Sequence, residues 1–123
     1  MGLQLTWTPN DIASASATSR ALGERAEALR AQRSALTDAI RGEILRARQG
    51  LADARAALDA NQRSRAAAEE AYRVQRELYS YGKATNVELV DAETELLRTR
   101  LDAVNALVDL EVAQVRLEHA LGR

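Results

Sequence analysis

Hydrophobic residues along most of this chain recur in alternating steps of three and four, the spacing that places them on one face of an α-helix. No proline and no cluster of turn residues interrupts residues 14–81. The apolar series in this region consists of Ala26, Leu29, Leu36, Ile40, Ile44, Ala47, Leu51, Ala54 and Leu58. This heptad pattern predicts one long helix over 14–81, which would extend roughly 100 Å at about 1.5 Å per residue.

The segment "LYSYGKATNVE" predicts the end of that helix and the start of another. Gly82 can adopt the left-handed conformation that closes a helix, and Thr85 and Glu88 have the spacing of a capping box at a helix N-terminus. We therefore expect a tip turn at 82–85 and a second helix over 86–121. Because the link is so short, the two helices are predicted to be antiparallel neighbours.

The second predicted helix carries two apolar seams. The first seam consists of Leu89, Leu96, Ala103, Leu110 and Leu117. The second seam consists of Val90, Leu97, Leu101, Val104, Val108 and Val115. Because a two-helix hairpin needs only one seam, the other predicts a neighbour outside the hairpin. The second helix would span only about 54 Å, so residues 14–45 of the first helix are also expected to be covered by further chain or further subunits.

Residues 1–13 have a different pattern from the rest of the chain. Leu3, Leu5 and Trp7 alternate with polar residues and Pro9 follows, which is typical of a short strand or extended arm. We expect Trp7 to pack where this arm meets the first helix. The predicted fold class is all-α, a long antiparallel helical hairpin (coiled coil) with unequal helices and a strand-like N-terminal arm. We expect the whole to be one hairpin domain of a larger chain.

Composition and charge exclude several classes of function. The 17 basic and 18 acidic residues are interspersed and give a net charge of −1, so no basic surface for nucleic acid is predicted. The absence of cysteine excludes disulfides and thiolate metal sites, and no apolar run approaches the ~20 residues of a membrane-spanning helix. The sequence has no nucleophile–base set, phosphate loop or metal-ligand spacing. We expect a chain that is not an enzyme and that binds no cofactor, metal or nucleic acid.

Four stretches together resemble one repeat of the TolC family of outer-membrane efflux proteins. They are "LTWTPND", "LYSYGKAT", "VELVDAETELLRTRLDAVNA" and "RLEHALGR". The resemblance implies a hairpin in the periplasmic part of a bacterial outer-membrane protein, where a homotrimer closes an export tunnel. It also implies a tripartite complex with a periplasmic adaptor protein and an inner-membrane pump, for drug efflux or type I secretion. The duct itself would be passive.

The resemblance further implies two groups of functional residues around the turn. Residues that would contact the adaptor at the tip are Gly82, Lys83, Ala84 and Thr85. Residues that would form the gated aperture are Tyr79, Glu88 and Asp91. Simpler interpretations stand beside these, since Gly82 is a helix cap, Tyr79 can pack the last helical turn, and Glu88 is explained by the capping box.

Two other classes of function are compatible with parts of the pattern. A generic antiparallel coiled-coil scaffold would use the same seams without any pore, and its acids after the turn would only stabilise the helix N-terminus. A helical enzyme with carboxylate metal ligands would need inward-facing Glu-x-x-His pairs, which the sequence lacks. The scaffold is therefore the main alternative to the export duct.

Overall fold

The computed structural model describes residues 2–4 and 9–123 and shows an all-α helical hairpin. Helix α1 spans Pro9–Ser80, 72 residues, and helix α2 spans Asn86–Ala120, 35 residues. The described residues contain no strand. The predicted fold class and the unequal helix lengths are confirmed. The end of α1 and the beginning of α2 each lie within one residue of the predicted position.

The beginning of α1 differs from the expected one. Residues 9–13, predicted to belong to an extended arm, are helical. Proline is well suited to the first helical position, because its fixed φ matches the helix and its missing N–H would have no partner there. Residues 2–4 have no regular secondary structure. The rest of the predicted arm, including Leu5 and Trp7, lies outside the described residues.

The chain divides into two units, Met1–Arg41 and Gly42–Arg123, and α1 runs through both. In the first unit the described residues after Pro9 form a single helix. Its large apolar side chains are exposed, as expected where the described residues of the unit itself supply no second helix. They are Ile12, Leu22, Leu29, Leu36 and Ile40.

The hairpin interface lies in the second unit and combines the first seam of α2 with a row of smaller residues, Thr99, Ala106 and Ala113, that belongs to neither predicted seam. The buried residues of this helix are Leu96, Thr99, Ala103, Ala106 and Ala113. Leu89, Leu110 and Leu117 of the same seam are half-buried. Among the described residues, four of the five buried hydrophobic side chains are alanines. Such small side chains let two helices approach closely, so the interface is narrow and has few bulky residues.

The second half of α1 supplies the matching side of this interface. Its predicted seam is half-buried as far as Leu58, and Ala68 is buried nearer the tip. Two polar positions interrupt the apolar contact. Thr99 is only 2% exposed, and its hydroxyl donates to the Leu96 carbonyl at 2.9 Å, which satisfies the donor within its own helix. The Gln75 Oε1 atom is buried and has no hydrogen-bond partner among the described residues.

Candidate functional site

The tip begins where Gly82 closes α1. Its φ of 71° is in the left-handed region, which glycine adopts without the cost that a Cβ adds. The Gly82 N–H donates to the Tyr79 carbonyl at 3.0 Å, and the Lys83 N–H donates to the Leu78 carbonyl at 2.8 Å. This pair of bonds is a Schellman motif, and it satisfies two carbonyls that the helix end leaves open. The predicted helix-closing role of Gly82 is confirmed.

Thr85 and Glu88 open α2 in the way that the sequence predicts. The Glu88 N–H donates to Thr85 Oγ1 at 3.2 Å, and the Thr85 N–H donates to Glu88 Oε2 at 2.7 Å. Both halves of the capping box are therefore formed, and Thr85 has the extended backbone of an N-cap residue. One oxygen of the Glu88 carboxylate therefore already accepts a hydrogen bond from the N-cap of its own helix.

Capping at both sides makes the tip a short, well-defined reversal. Of the predicted tip residues, Gly82, Lys83 and Thr85 are exposed and Ala84 is half-buried. Tyr79 is 45% exposed, in the last turn of α1. The structure therefore brings the predicted tip residues together at one end of the hairpin. The Lys83 ammonium makes no ion pair with the described residues, so it can interact with a partner.

The predicted aperture acids differ in what surrounds them. Glu88 takes part in the capping box, whereas exposed Asp91, one turn further along, makes no ion pair or side-chain hydrogen bond with the described residues. Glu95, which lies one turn after Asp91 on the same face of α2 but is not a predicted aperture residue, is bound by Arg98 at 2.6 Å through one oxygen. The face is therefore not uniformly acidic, and Asp91 is the carboxylate most available to a cation or a donor.

Two ion-pair clusters near the tip were not predicted from the sequence. On α1, Arg73 donates to both Glu70 carboxylate oxygens, at 2.7 and 3.0 Å, and to Glu77 at 3.3 Å. On α2, Arg98 binds Glu95 and Asp102 with the same spacing and nearly the same distances. Their sequence spacing could have predicted them, because acids three residues before and four residues after an arginine lie on the same helix face as the arginine.

The two arginines change the acidity of their partners. The hydrogen bonds from Arg73 lower the pKa of the Glu70 carboxyl, and those from Arg98 lower the pKa of the Glu95 carboxyl. Both effects favour the ionised carboxylate. Across the hairpin, the Arg100 Nε atom lies 3.7 Å from a Glu69 carboxylate oxygen and links the two helices. All these side chains are largely exposed, so each pair adds little to stability.

The second seam of α2 forms a surface that we name the outer face of α2. It consists of Val90, Leu97, Leu101, Val104, Val108 and Val115. None of them is buried by the hairpin, and Leu101 is 61% exposed. The face lies away from α1, because the buried seam occupies the other side of the same helix. Several exposed branched aliphatic residues along one face of a helix are typical of an interaction surface.

The described part of the chain offers neither a metal site nor a membrane span. Among the residues that the structure describes, no group of three or more His, Asp or Glu side chains is placed to hold a metal ion. Neither described helix contains a stretch that is long and apolar enough to cross a bilayer.

We expect Thr85→Ala to lower the free energy of unfolding by about 1 kcal/mol, because the Glu88 N–H loses its acceptor. The matched control is Thr94→Ala in the same helix, whose hydroxyl donates only to the Val90 carbonyl. This control should leave stability unchanged or raise it slightly, since alanine is the better helix former. Urea unfolding followed by circular dichroism at 222 nm measures both. Equal losses in the two variants would contradict a capping role for Thr85.

Comparison with protein-family models, with curated proteins and with solved structures gives no match for this chain.

Proposed function

We propose that this chain is a helical hairpin from the wall of a TolC-like export duct, with a tip that docks a periplasmic adaptor protein. The duct would be a homotrimer in the outer membrane of a Gram-negative bacterium, and the hairpin would lie in its periplasmic part. Transport would be passive along the duct, and energy would come from an inner-membrane pump. The hairpin would carry out no chemical reaction.

The observation that supports this most is the exposed outer face of α2. A helix in a closed wall contacts one neighbour on each side, and therefore needs two apolar faces. One face of α2 packs on α1 with Leu96 buried, while the other leaves Leu97 58% exposed. A hairpin that acted alone would have no use for the second face.

The tip supports the docking part of the proposal. The two caps hold the reversal in one conformation, so a partner does not need to order it on binding. Lys83 offers an exposed cation without an ion pair to the described residues, and the half-buried Ala84 leaves room for an approaching helix end. In the trimer, copies of Asp91 would line the narrow end of the duct, with Tyr79 and Glu88 beside them, and would attract cations.

The test is binding of immobilised chain to helical hairpins of periplasmic adaptor proteins, measured by biolayer interferometry. We expect micromolar binding that Lys83→Glu weakens by about tenfold, since a buried like charge or a lost ion pair costs about 1.4 kcal/mol or more at an interface. Arg48→Glu is the matched control, because it makes the same charge change on exposed α1 surface away from the tip.

The scaffold alternative predicts a different result. A scaffold without a docking tip would not bind adaptor hairpins, or would bind them equally well with Lys83→Glu and with Arg48→Glu. Either outcome would count against the export duct. The acids after the turn would then only cap α2 and stabilise its N-terminus, the positive end of the helix dipole.

A further inference from the structure

The outer face of α2 has an internal symmetry. Its apolar positions are spaced symmetrically about the midpoint of the face, although the paired residues are not all identical. The mirrored pairs are Val90 with Val115, Leu97 with Val108, and Leu101 with Val104. The two polar residues that interrupt the strip, Thr94 and Glu111, also mirror each other. After a half-turn, each of these apolar positions in one copy can therefore meet an apolar position in another copy, which is the pairing of a two-fold interface.

We propose that a second copy of this chain covers the outer face of α2, with the two α2 helices antiparallel. Each apolar residue of one copy then packs against its mirrored residue in the other, and every contact occurs twice. The strip extends over about 38 Å, from Val90 to Val115. Large exposed apolar surfaces on a soluble chain commonly mark sites where another protein binds.

The charges on the face decide between the two orientations. A parallel pair would place Glu111 against Glu111 of the other copy inside the seam, where like charges repel. In the antiparallel pair, Glu111 faces the uncharged Thr94 and not a second carboxylate, so this repulsion is absent. The antiparallel arrangement therefore has an apolar centre with a compatible polar layer on each side.

This dimer goes beyond the proposed function, because it concerns the chain without a surrounding wall. It uses the side of α2 that faces away from α1, so the hairpin interface around Leu96 stays intact. The antiparallel arrangement places the two tips at opposite ends of the α2 pair. Both copies of Lys83 therefore remain accessible, and adaptor binding at the tip and pairing through α2 can be tested separately.

Site-specific disulfide formation distinguishes the orientations, since the chain has no cysteine of its own. We expect a mixture of Val90→Cys and Val115→Cys chains to form a cross-linked dimer under mild oxidation. Each variant alone should remain uncross-linked, because its two copies would lie about 38 Å apart. Cross-linking of Val90→Cys with itself would overturn the proposal in favour of a parallel pair.

Light scattering over a concentration series tests whether the dimer forms at all. We expect the wild type to dimerise and Leu101→Glu to raise the dimer dissociation constant about tenfold or more, since each copy would bury an unpaired charge. Leu45→Glu is the control, because Leu45 is 64% exposed on α1, outside the outer face of α2. A wild type that stays monomeric overturns the proposal, as does an equal effect of the two variants. Circular dichroism checks that both variants keep their helices.

Discussion

Replacing Leu96 with alanine is expected to lower the free energy of unfolding of the hairpin by about 2 to 3 kcal/mol. Leu96 is 5% exposed and is the largest of the buried hydrophobic side chains among the described residues. The buried residues that follow it on α2 are Thr99 and three alanines, whose short side chains cannot fill the cavity left by the leucine. The loss includes both the transfer of the side chain to water and the cavity.

The adjacent residue provides a matched control for this prediction. Leu97→Ala removes the same atoms from a position that is 58% exposed on the outer face of α2. It should change the stability of the monomeric hairpin by about 0.5 kcal/mol or less. Urea unfolding of both variants over a range of protein concentrations separates hairpin stability from pairing of the chains. If Leu97→Ala lowers the free energy of unfolding of the monomer as much as Leu96→Ala does, the first seam of α2 is not the one that packs on α1.

Replacing Gly82 with alanine is expected to lower the free energy of unfolding by about 1 to 2 kcal/mol, the cost of a left-handed conformation for a residue with a Cβ. A Cβ added at Gly82 would meet no heavy atom within 4 Å, so the loss comes from the backbone and not from a clash. Gly82→Asn should cost less, since asparagine tolerates this conformation better. Thermal unfolding by circular dichroism measures both variants.

Gly50→Ala is a control for which we expect the opposite change in stability. Gly50 lies inside α1, its φ is not positive, and an added Cβ would again meet nothing within 4 Å. Gly50→Ala should therefore raise stability by about 0.5 to 1 kcal/mol, because alanine loses less conformational freedom in a helix. If alanine lowered the free energy of unfolding at both Gly82 and Gly50, the left-handed conformation of Gly82 would not explain the effect of Gly82→Ala.

The ends of the helices at the tip were predictable because local chemistry decides them. A glycine that closes one helix, followed by a threonine and a glutamate with capping-box spacing, satisfies the open backbone groups without help from the rest of the chain. Gly82, Thr85 and Glu88 adopt these roles in the structure. The long uninterrupted helix before the tip was predictable for the same reason, since helix propensity and periodicity act over short distances.

The partners of the charged residues were less predictable, because several acids lie within reach of each arginine. Arg73 could have paired with Glu69, Glu70 or Glu77, and only the side-chain conformation selects the last two. That selection leaves Glu69 beside Arg100 of α2. The beginning of α1 at Pro9 was also missed, because a strand-like alternation before the proline suggested that the extended segment continued past it.

The sequence by itself determined that this protein has two helices of unequal length joined by a capped turn, and that α2 has two apolar seams. Only the tertiary structure decided which seam faces α1. Both seams have heptad spacing, but the first lies beside Ala106 and Ala113, whose small side chains allow closer approach of the helix backbones. The second seam, with Leu97 and Leu101, remains exposed as the surface that another chain can cover.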